Sequence, residues 1–439
     1  MIQNVKTDWM RDKAGVLAER NFRRFYTGYV TSLLGTSMSS IALTWAVFDS
    51  HHGTSALGIV MFANVAPMVL LMAVAGAIAD RYGRRRVMLS ADVLRCCAQA
   101  LLATLLLPGH LFPLAPFAGR PPLWMFILLA SLRGSGDAFF GPALQGLTVE
   151  MAPPAQLGNA NTLFGLASSF TAVAGPSLAG VLLAVTDPAL VIAADALSYL
   201  VSVVALSLLR FPPASHAKAL GQAQAVGQTA GSRKPAAQLR TDIAEGWSDF
   251  RSRTWLWATT VQWAFLNLIT WAPFLLLGQA MANAYLGGPR AWGAIMGAEG
   301  AGAILAGLLL LGRKPGHPMV VATIATFCYA LPDIPLALHA TAPWVILAAF
   351  VLGIGSAPAN TYFSTAIQQQ VPADKQARVK ALMMFPNYGI GVMGFVIDGP
   401  LASAFGAQAV FGAGAIYGLV STAVVLTLPS IRSVEWRQP

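Results

Sequence analysis

Apolar runs of about twenty residues follow one another along nearly the whole chain, and each is long enough to cross a hydrocarbon core of about 30 Å as a helix. No ordinary soluble domain can hide that much hydrocarbon. Of the 439 residues, 56% are hydrophobic and only 10% charged, with a mean hydropathy of +0.61; a soluble chain carries about 25% charged residues. The short alternating segments of a membrane β-barrel are missing from the pattern. Helices are then the way to close every backbone hydrogen bond inside lipid. At roughly 30 to 35 residues per span and loop, the length leaves room for about twelve spans. The expected fold class is an all-α membrane protein with twelve transmembrane helices in two pseudo-symmetric six-helix bundles.

The spans are placed at Phe25 to Val47, Ala56 to Ala79, Val87 to Leu107, Leu123 to Val149, Asn161 to Val185 and Ala189 to Leu209. A second set lies at Trp255 to Gly278, Ala291 to Leu311, Met319 to Leu338, Ala342 to Gln368, Val379 to Leu401 and Ala407 to Leu428. Residues 1–24 form a polar N-terminal segment without a signal-peptide pattern, so the first span reads as an uncleaved insertion signal. Bundles are expected over 25–210 and 255–428, with a tail over 429–439. Between the bundles lies a linker over 211–254. Its stretch Gly221 to Pro235 is small and polar, whereas Leu239, Ile243, Trp247 and Phe250 return to a helical spacing that reads as a short interfacial helix.

Basic residues fall on one side once these spans are drawn. Lys6, Arg11, Lys13, Arg20, Arg23 and Arg24 precede the first span, Arg81, Arg84, Arg85 and Arg86 follow the second, and seven more lie between the sixth and seventh. Arg313, Lys314, Lys375, Arg378, Arg432 and Arg437 continue the series, while the opposite loops hold only Arg120 and Arg290. Both termini are therefore expected in the cytoplasm, with an even number of spans. The formal charge of +10 is a topology signal rather than a nucleic-acid surface, which would need a basic face on a folded soluble domain.

The loop after the second span, Gly76-Ala-Ile-Ala-Asp80-Arg81-Tyr-Gly83-Arg84-Arg85-Arg86, resembles the loop signature of the major facilitator superfamily of secondary transporters. Gly175-Pro176-Ser-Leu-Ala-Gly180 in the fifth span resembles that superfamily's antiporter motif, a helix kink with a small-residue face. With Phe139-Phe140-Gly-Pro142-Ala143 and Gln368-Gln-Gln-Val-Pro372, the chain most resembles the macrolide and siderophore exporter branch. The resemblance implies the major facilitator fold and proton-driven export. It also implies that Gly76, Asp80, Arg81, Gly83, Arg84 and Arg85 form a conformational latch. Physically, Asp80 can face the N-terminus of a helix in the other half, Arg81 and Arg84 can pair with acids on span four or with lipid phosphate, and Gly83 allows the tight turn.

Ionisable residues inside spans cost about 2.5 to 3.5 kcal/mol each at a helix centre and are functional suspects. They are Asp92 and Arg95 in span three, Arg133 and Asp137 in span four, Asp195 in span six, Glu299 in span eight, Asp333 in span nine and Asp398 in span eleven. Spacing pairs Asp92 with Arg95 and Arg133 with Asp137. Asp333 and Asp398 read as solvated near the outer ends. Glu299 is left as the deep acid without a partner in its own helix, with Asp195 a second, shallower one. Such carboxyls can exchange a proton as their surroundings alternate between wet and dry. Arg133 also resembles the superfamily's span-four arginine, implicated in proton transfer. Thr36 stands where many members of the exporter branch carry an acid, which moves the coupling role onto Glu299 or Asp137.

A substrate site is expected at mid-membrane depth where the halves meet. By depth its candidates are Trp45, Asn64, Gln262, Trp263, Asn267, Trp271, Asn360, Tyr362, Phe385 and Asn387. Aromatics mixed with amides suit a large amphipathic small molecule. The cysteines show no ligand spacing, and no phosphate-binding loop is present, so the reading is a monomer without metal or cofactor, in contact with membrane lipid and driven by a proton gradient. A membrane enzyme would call for His, Asp or Cys clustered at one membrane face, which the sequence does not contain. Within transport, export of an endogenous compound such as a siderophore or lipid, or even uptake, stands beside export of drugs.

Overall fold

A computed structural model describes residues 15–107, 119–152, 156–209, 247–248, 250–310, 313–372 and 375–435. Among them are twelve helices long and apolar enough to cross a membrane. They are α1 (Arg20–Asp49), α2 (Thr54–Tyr82), α3 (Arg84–Leu106), α4 (Leu123–Met151), α5 (Leu157–Leu182) and α6 (Pro188–Ser207). Then come α7 (Thr254–Leu286), α8 (Gly288–Leu310), α9 (Pro318–Ala337), α10 (Ala342–Gln370), α11 (Gln376–Gly391 continuing as Met393–Phe405) and α12 (Ala407–Thr427). The expected polar segment over Gly221 to Pro235 and most of the segment over 1–24 lie outside the described residues. Of the expected interfacial helix, residues 247, 248 and 250–252 are described, and they are helical.

Helix ends differ most at α7, which runs eight residues past Gly278, the stop expected from the sequence. The glycine there is a packing position rather than a cap: a Cβ on Gly278 would fall 2.8 Å from the Trp292 ring. Two wide π turns, Asn267–Trp271 and Ala282–Leu286, interrupt α7. The first precedes Pro273, which has no N–H to give to the turn before it, so the ladder is re-spaced instead of broken. The second ends at Gly287, whose φ of +107° closes the helix in a conformation that favours glycine.

By packing, the chain divides into two compact units. The first comprises residues 1–46, 63–175 and 186–233, the second 47–62, 176–185 and 234–439. In the first, Phe22, Tyr26 and Tyr29 of α1 pack around Phe164 of α5, with Phe140 of α4 stacked on Tyr29 at 6.1 Å. Met88, Leu147 and Leu206 complete that core. In the second, Trp255, Leu256, Met319, Ile367 and Val379 form the corresponding apolar core.

Helix α6 shows the rule that orders these units. Leu190, Leu197, Val201 and Val204 are exposed, as a lipid-facing stripe must be, while Ile192, Asp195, Tyr199, Ser202 and Leu206 are buried. Polar groups are thus turned inward, where they find partners that hydrocarbon cannot offer.

Candidate functional site

Inside the first unit, two arginines and three aspartates from α3, α4 and α6 lie in one network. Arg95 on α3 pairs with Asp92 on its own helix and with Asp137 on α4, the latter at 2.8 Å. Its guanidinium is held between two rings, 4.5 Å from the centroid of Phe140 and 4.6 Å from that of Tyr199. Ser202 on α6 donates to the other oxygen of Asp92 at 2.6 Å. Asp195, wholly buried on α6, accepts hydrogen bonds from Gln99 (2.6 Å) and Ser198, while Gln99 also contacts Ser39 on α1 at 2.6 Å.

Arg133 does not pair with Asp137, which corrects the expectation from their spacing. It reaches α1 instead, where it donates to the Thr36 carbonyl and to Ser40, each at 3.3 Å, with Tyr199 and Asp195 as electrostatic neighbours. The physical reason is Gly136. A Cβ there would fall 2.6 Å from Cγ of Arg95, so the bare backbone of α4 lets Arg95 lie across it and take Asp137. Thr36 is part of the same cluster through its hydroxyl, 2.8 Å from the Tyr199 hydroxyl. Asp195 is fully buried, whereas Glu299 is half-buried.

The α2–α3 loop is built in the same unit. Arg84 bonds Asp80 (3.0 Å), Glu150 on α4 (3.1 Å) and the Gly146 carbonyl (3.0 Å). Asp80, expected to face a helix N-terminus, is thus engaged by the arginine one turn on, with most of its side chain still exposed. Gly83 takes a φ of +92°, the conformation its tight turn needs. Arg85 donates to the carbonyls of Leu206 and Ser207 at 2.8 and 2.6 Å, and Arg24 to that of Leu208 at 3.3 Å, so both cap the C-terminus of α6. Arg81 lies over the ring of Tyr82 at 5.6 Å, and Gly76 faces open space. In α5, Gly175 packs against Ser37 of α1 in the first unit. Beyond Pro176, Gly180 packs against Gly293 of α8 in the second unit, where a Cβ would lie 2.8 Å from its Cα.

Of the expected substrate residues, Trp45 and Asn64 belong to the first unit and the other eight to the second. Trp45 is buried, and its indole N–H finds no partner among the described residues. Asn64 donates to the Ala130 carbonyl at 3.2 Å. In the second unit Trp263 and Trp271 both meet Tyr329, with centroids 4.8 and 6.2 Å away, and Asn360 donates to the Tyr329 hydroxyl at 3.3 Å. Glu299 acts electrostatically on that same hydroxyl. Gln262 and Tyr362, by contrast, are buried in helix packing, Gln262 donating to Thr422 at 3.0 Å. Asn267 donates to the Trp263 carbonyl one turn back, Phe385 is exposed, and Asn387 keeps a buried carbonyl oxygen without a partner.

Sequence reasoning missed Gln99, Tyr199, Ser202 and Tyr329. A signal was present for the first three, since Arg95 and Gln99 share one face of α3, and Asp195, Tyr199 and Ser202 one face of α6, at spacings of three and four. Asp333 and Asp398 are also corrected: they are buried, not solvated, at 0% and 3% exposure.

A helical chain with twelve candidate spans and ion pairs buried among them is a multi-pass membrane protein in class. A family model described as Major Facilitator Superfamily matches residues 25–394. The chain belongs to the Major Facilitator Superfamily. It is 24% identical over 426 residues to the multidrug efflux pump Tap of Mycolicibacterium fortuitum, covering 92% of this chain and 95% of that protein. It is 27% identical over 187 residues to the staphyloferrin A transporter of Staphylococcus aureus, covering 43% and 45%. The solved structure of a peptide transporter POT matches with a TM-score of 0.68 at 15% identity, over 94% of this chain and 95% of that one, which is a likeness of fold.

Proposed function

We propose that the chain is a secondary active transporter that exports hydrophobic or amphipathic small molecules by alternating access, driven by an inward flow of protons. The observation that carries this reading is the similarity to a multidrug efflux pump along 92% of the chain. Buried carboxylates inside the spans are the groups such coupling requires, and we assign the proton-coupling role to Glu299, Asp137, Arg133 and Asp195. The loop from Gly76 to Arg85 acts as a conformational latch, Gly175, Pro176 and Gly180 let α5 bend and pack closely, and Trp263, Trp271 and Asn360 contribute to the substrate site. The two halves are 25–210 and 255–428, joined by a cytoplasmic linker, in a monomer of the bacterial inner membrane with both termini inside. It is a carrier, not an enzyme, and no nucleic acid takes part.

A dedicated siderophore exporter is the second reading, favoured by the match to the staphyloferrin A transporter. Accumulation of ethidium, a radiolabelled macrolide and a ferric siderophore in cells expressing the wild type or Glu299→Gln, with and without a protonophore, tests both. Drug export predicts low accumulation of the first two, restored to the level of empty cells by the protonophore and by the substitution. If only the siderophore is moved, the second reading stands. Protonophore-insensitive export removes proton coupling altogether.

A further inference from the structure

A cavity of about 360 Å³ opens in the second unit between α7, α11 and α12, and Trp263, Tyr329 and Asn360 are not among its lining residues. Leu268 and Ile269 of the first π turn, Ile397 and Leu401 of α11 and Ala413 of α12 line it, and every lining residue but Asp398 is apolar. Ile397, Leu401 and Ala413 are exposed on the outside of the helices, so the cavity opens sideways between candidate membrane spans. The re-spaced backbone at Asn267–Trp271 forms one wall, and such turns recur at functional sites.

The single polar group in this wall is unusual. Asp398 is 3% exposed, and its Oδ2 has no hydrogen-bond partner. Behind it Asp333 of α9 is fully buried, with neither carboxylate oxygen partnered, and Asp398 acts electrostatically on it. Gly414 of α12 makes room for that second acid, since a Cβ there would collide with its Oδ2. No arginine, lysine or histidine among the described residues forms an ion pair with either acid.

We propose that this cavity is a binding site for a lipophilic amine, with its ammonium on Asp398, backed by Asp333, and its apolar body among the side chains of α7, α11 and α12. An ammonium brings up to three donors and a positive charge to oxygens that lack both. Calcium would need six to eight oxygen ligands, which a hydrocarbon wall with two carboxylates does not supply. Asp398 lies seven residues before the end of α11 at Phe405, about 10 Å along the helix axis and within a candidate membrane span. A place inside a span suits an amine drawn out of the bilayer interior rather than a lipid headgroup held at its surface. Ligand pockets of this size are mostly apolar with one or two fixing polar groups, as here.

The test is equilibrium binding to the purified full chain in lipid nanodiscs, with empty nanodiscs subtracted. The probes are mono-dansyl-1,6-diaminohexane and its N-acetyl derivative, which share an apolar body and differ in the ammonium. The charged probe binds the wild type at least about tenfold more tightly than the neutral one, and both Asp398→Asn and Ala413→Phe weaken it by about tenfold or more. Ala413→Phe fills the cavity from its exposed side and removes neither carboxylate, so loss of binding there reports the cavity rather than the loss of an acid. Asp398→Glu, which keeps the charge, retains binding. Equal affinity for the two probes would overturn the proposal, leaving an apolar groove only. So would charged-probe binding within about twofold of wild type in Asp398→Asn and Ala413→Phe, which places the amine elsewhere. The readout does not depend on transport, so it stands or falls separately from the export reading.

Discussion

Replacing Arg95 with methionine is the sharpest test of the buried network, because the packing allows its effect to be worked out in parts. The substitution keeps the aliphatic stem and removes a guanidinium that pairs with Asp92 and Asp137 and lies between Phe140 and Tyr199. Asp137 is partly exposed and can turn to water, but Asp92 is wholly buried and keeps only Ser202. Breaking a buried pair from one side costs about 3–5 kcal/mol, and the lost contact with two rings accounts for about 1–2 kcal/mol of that. The rest is the stranded charge of Asp92. The double variant Arg95→Met with Asp92→Asn removes that charge and recovers about 2–3 kcal/mol. The assay is reversible unfolding of purified protein from mixed micelles by a denaturing detergent, followed by tryptophan fluorescence for wild type, both single variants and the double. If Arg95→Met unfolds within about 1 kcal/mol of wild type, or the double variant is no more stable than Arg95→Met, the network is not what holds Asp92 in lipid.

Three further outcomes follow from the same geometry. Gly136→Val pushes a methyl group into Arg95 and destabilises by about 1–3 kcal/mol through overpacking, whereas the same change at Gly141, which faces open space, is close to neutral in the same unfolding assay. Gln99→Leu removes the amide donor that Asp195 and Ser39 share and leaves Asp195 with Ser198, costing about 1–3 kcal/mol; Gln99→Glu, which sets a second carboxylate against Asp195, lowers stability further. Arg84→Ala removes partly exposed pairs with Asp80 and Glu150, so its stability changes by only about 1 kcal/mol, while initial export rates of ethidium fall severalfold if the loop acts as a latch. Unchanged export at equal protein level in the membrane removes the latch role from Arg84.

The spans were legible because membrane insertion is decided by the summed transfer energy of consecutive residues, which needs no knowledge of neighbours in space. All twelve appear where apolar runs predict them, and the glycine at position 83 takes the turn its place between charged residues implies. The identities of the buried charged residues were equally plain, since any ionisable residue within an apolar run stands out. Even the Asp92 and Arg95 pair could be read, as both partners lie on one face of one helix.

What the tertiary structure alone decided is which partner each of the other charges meets. Arg133 and Asp137 share a helix and a favourable spacing, yet Arg133 turns to α1 and Asp137 to α3, because the rotation of α4 and the missing side chain at Gly136 set which neighbour is within reach. Asp333 and Asp398 looked solvated from their distance to helix ends, but the close approach of α12 at Gly414 and the re-spaced turn of α7 enclose them. Depth along a helix is a property of the sequence. Facing is a property of packing, because a side chain finds its partner across a helix interface that residues far apart in the chain create together.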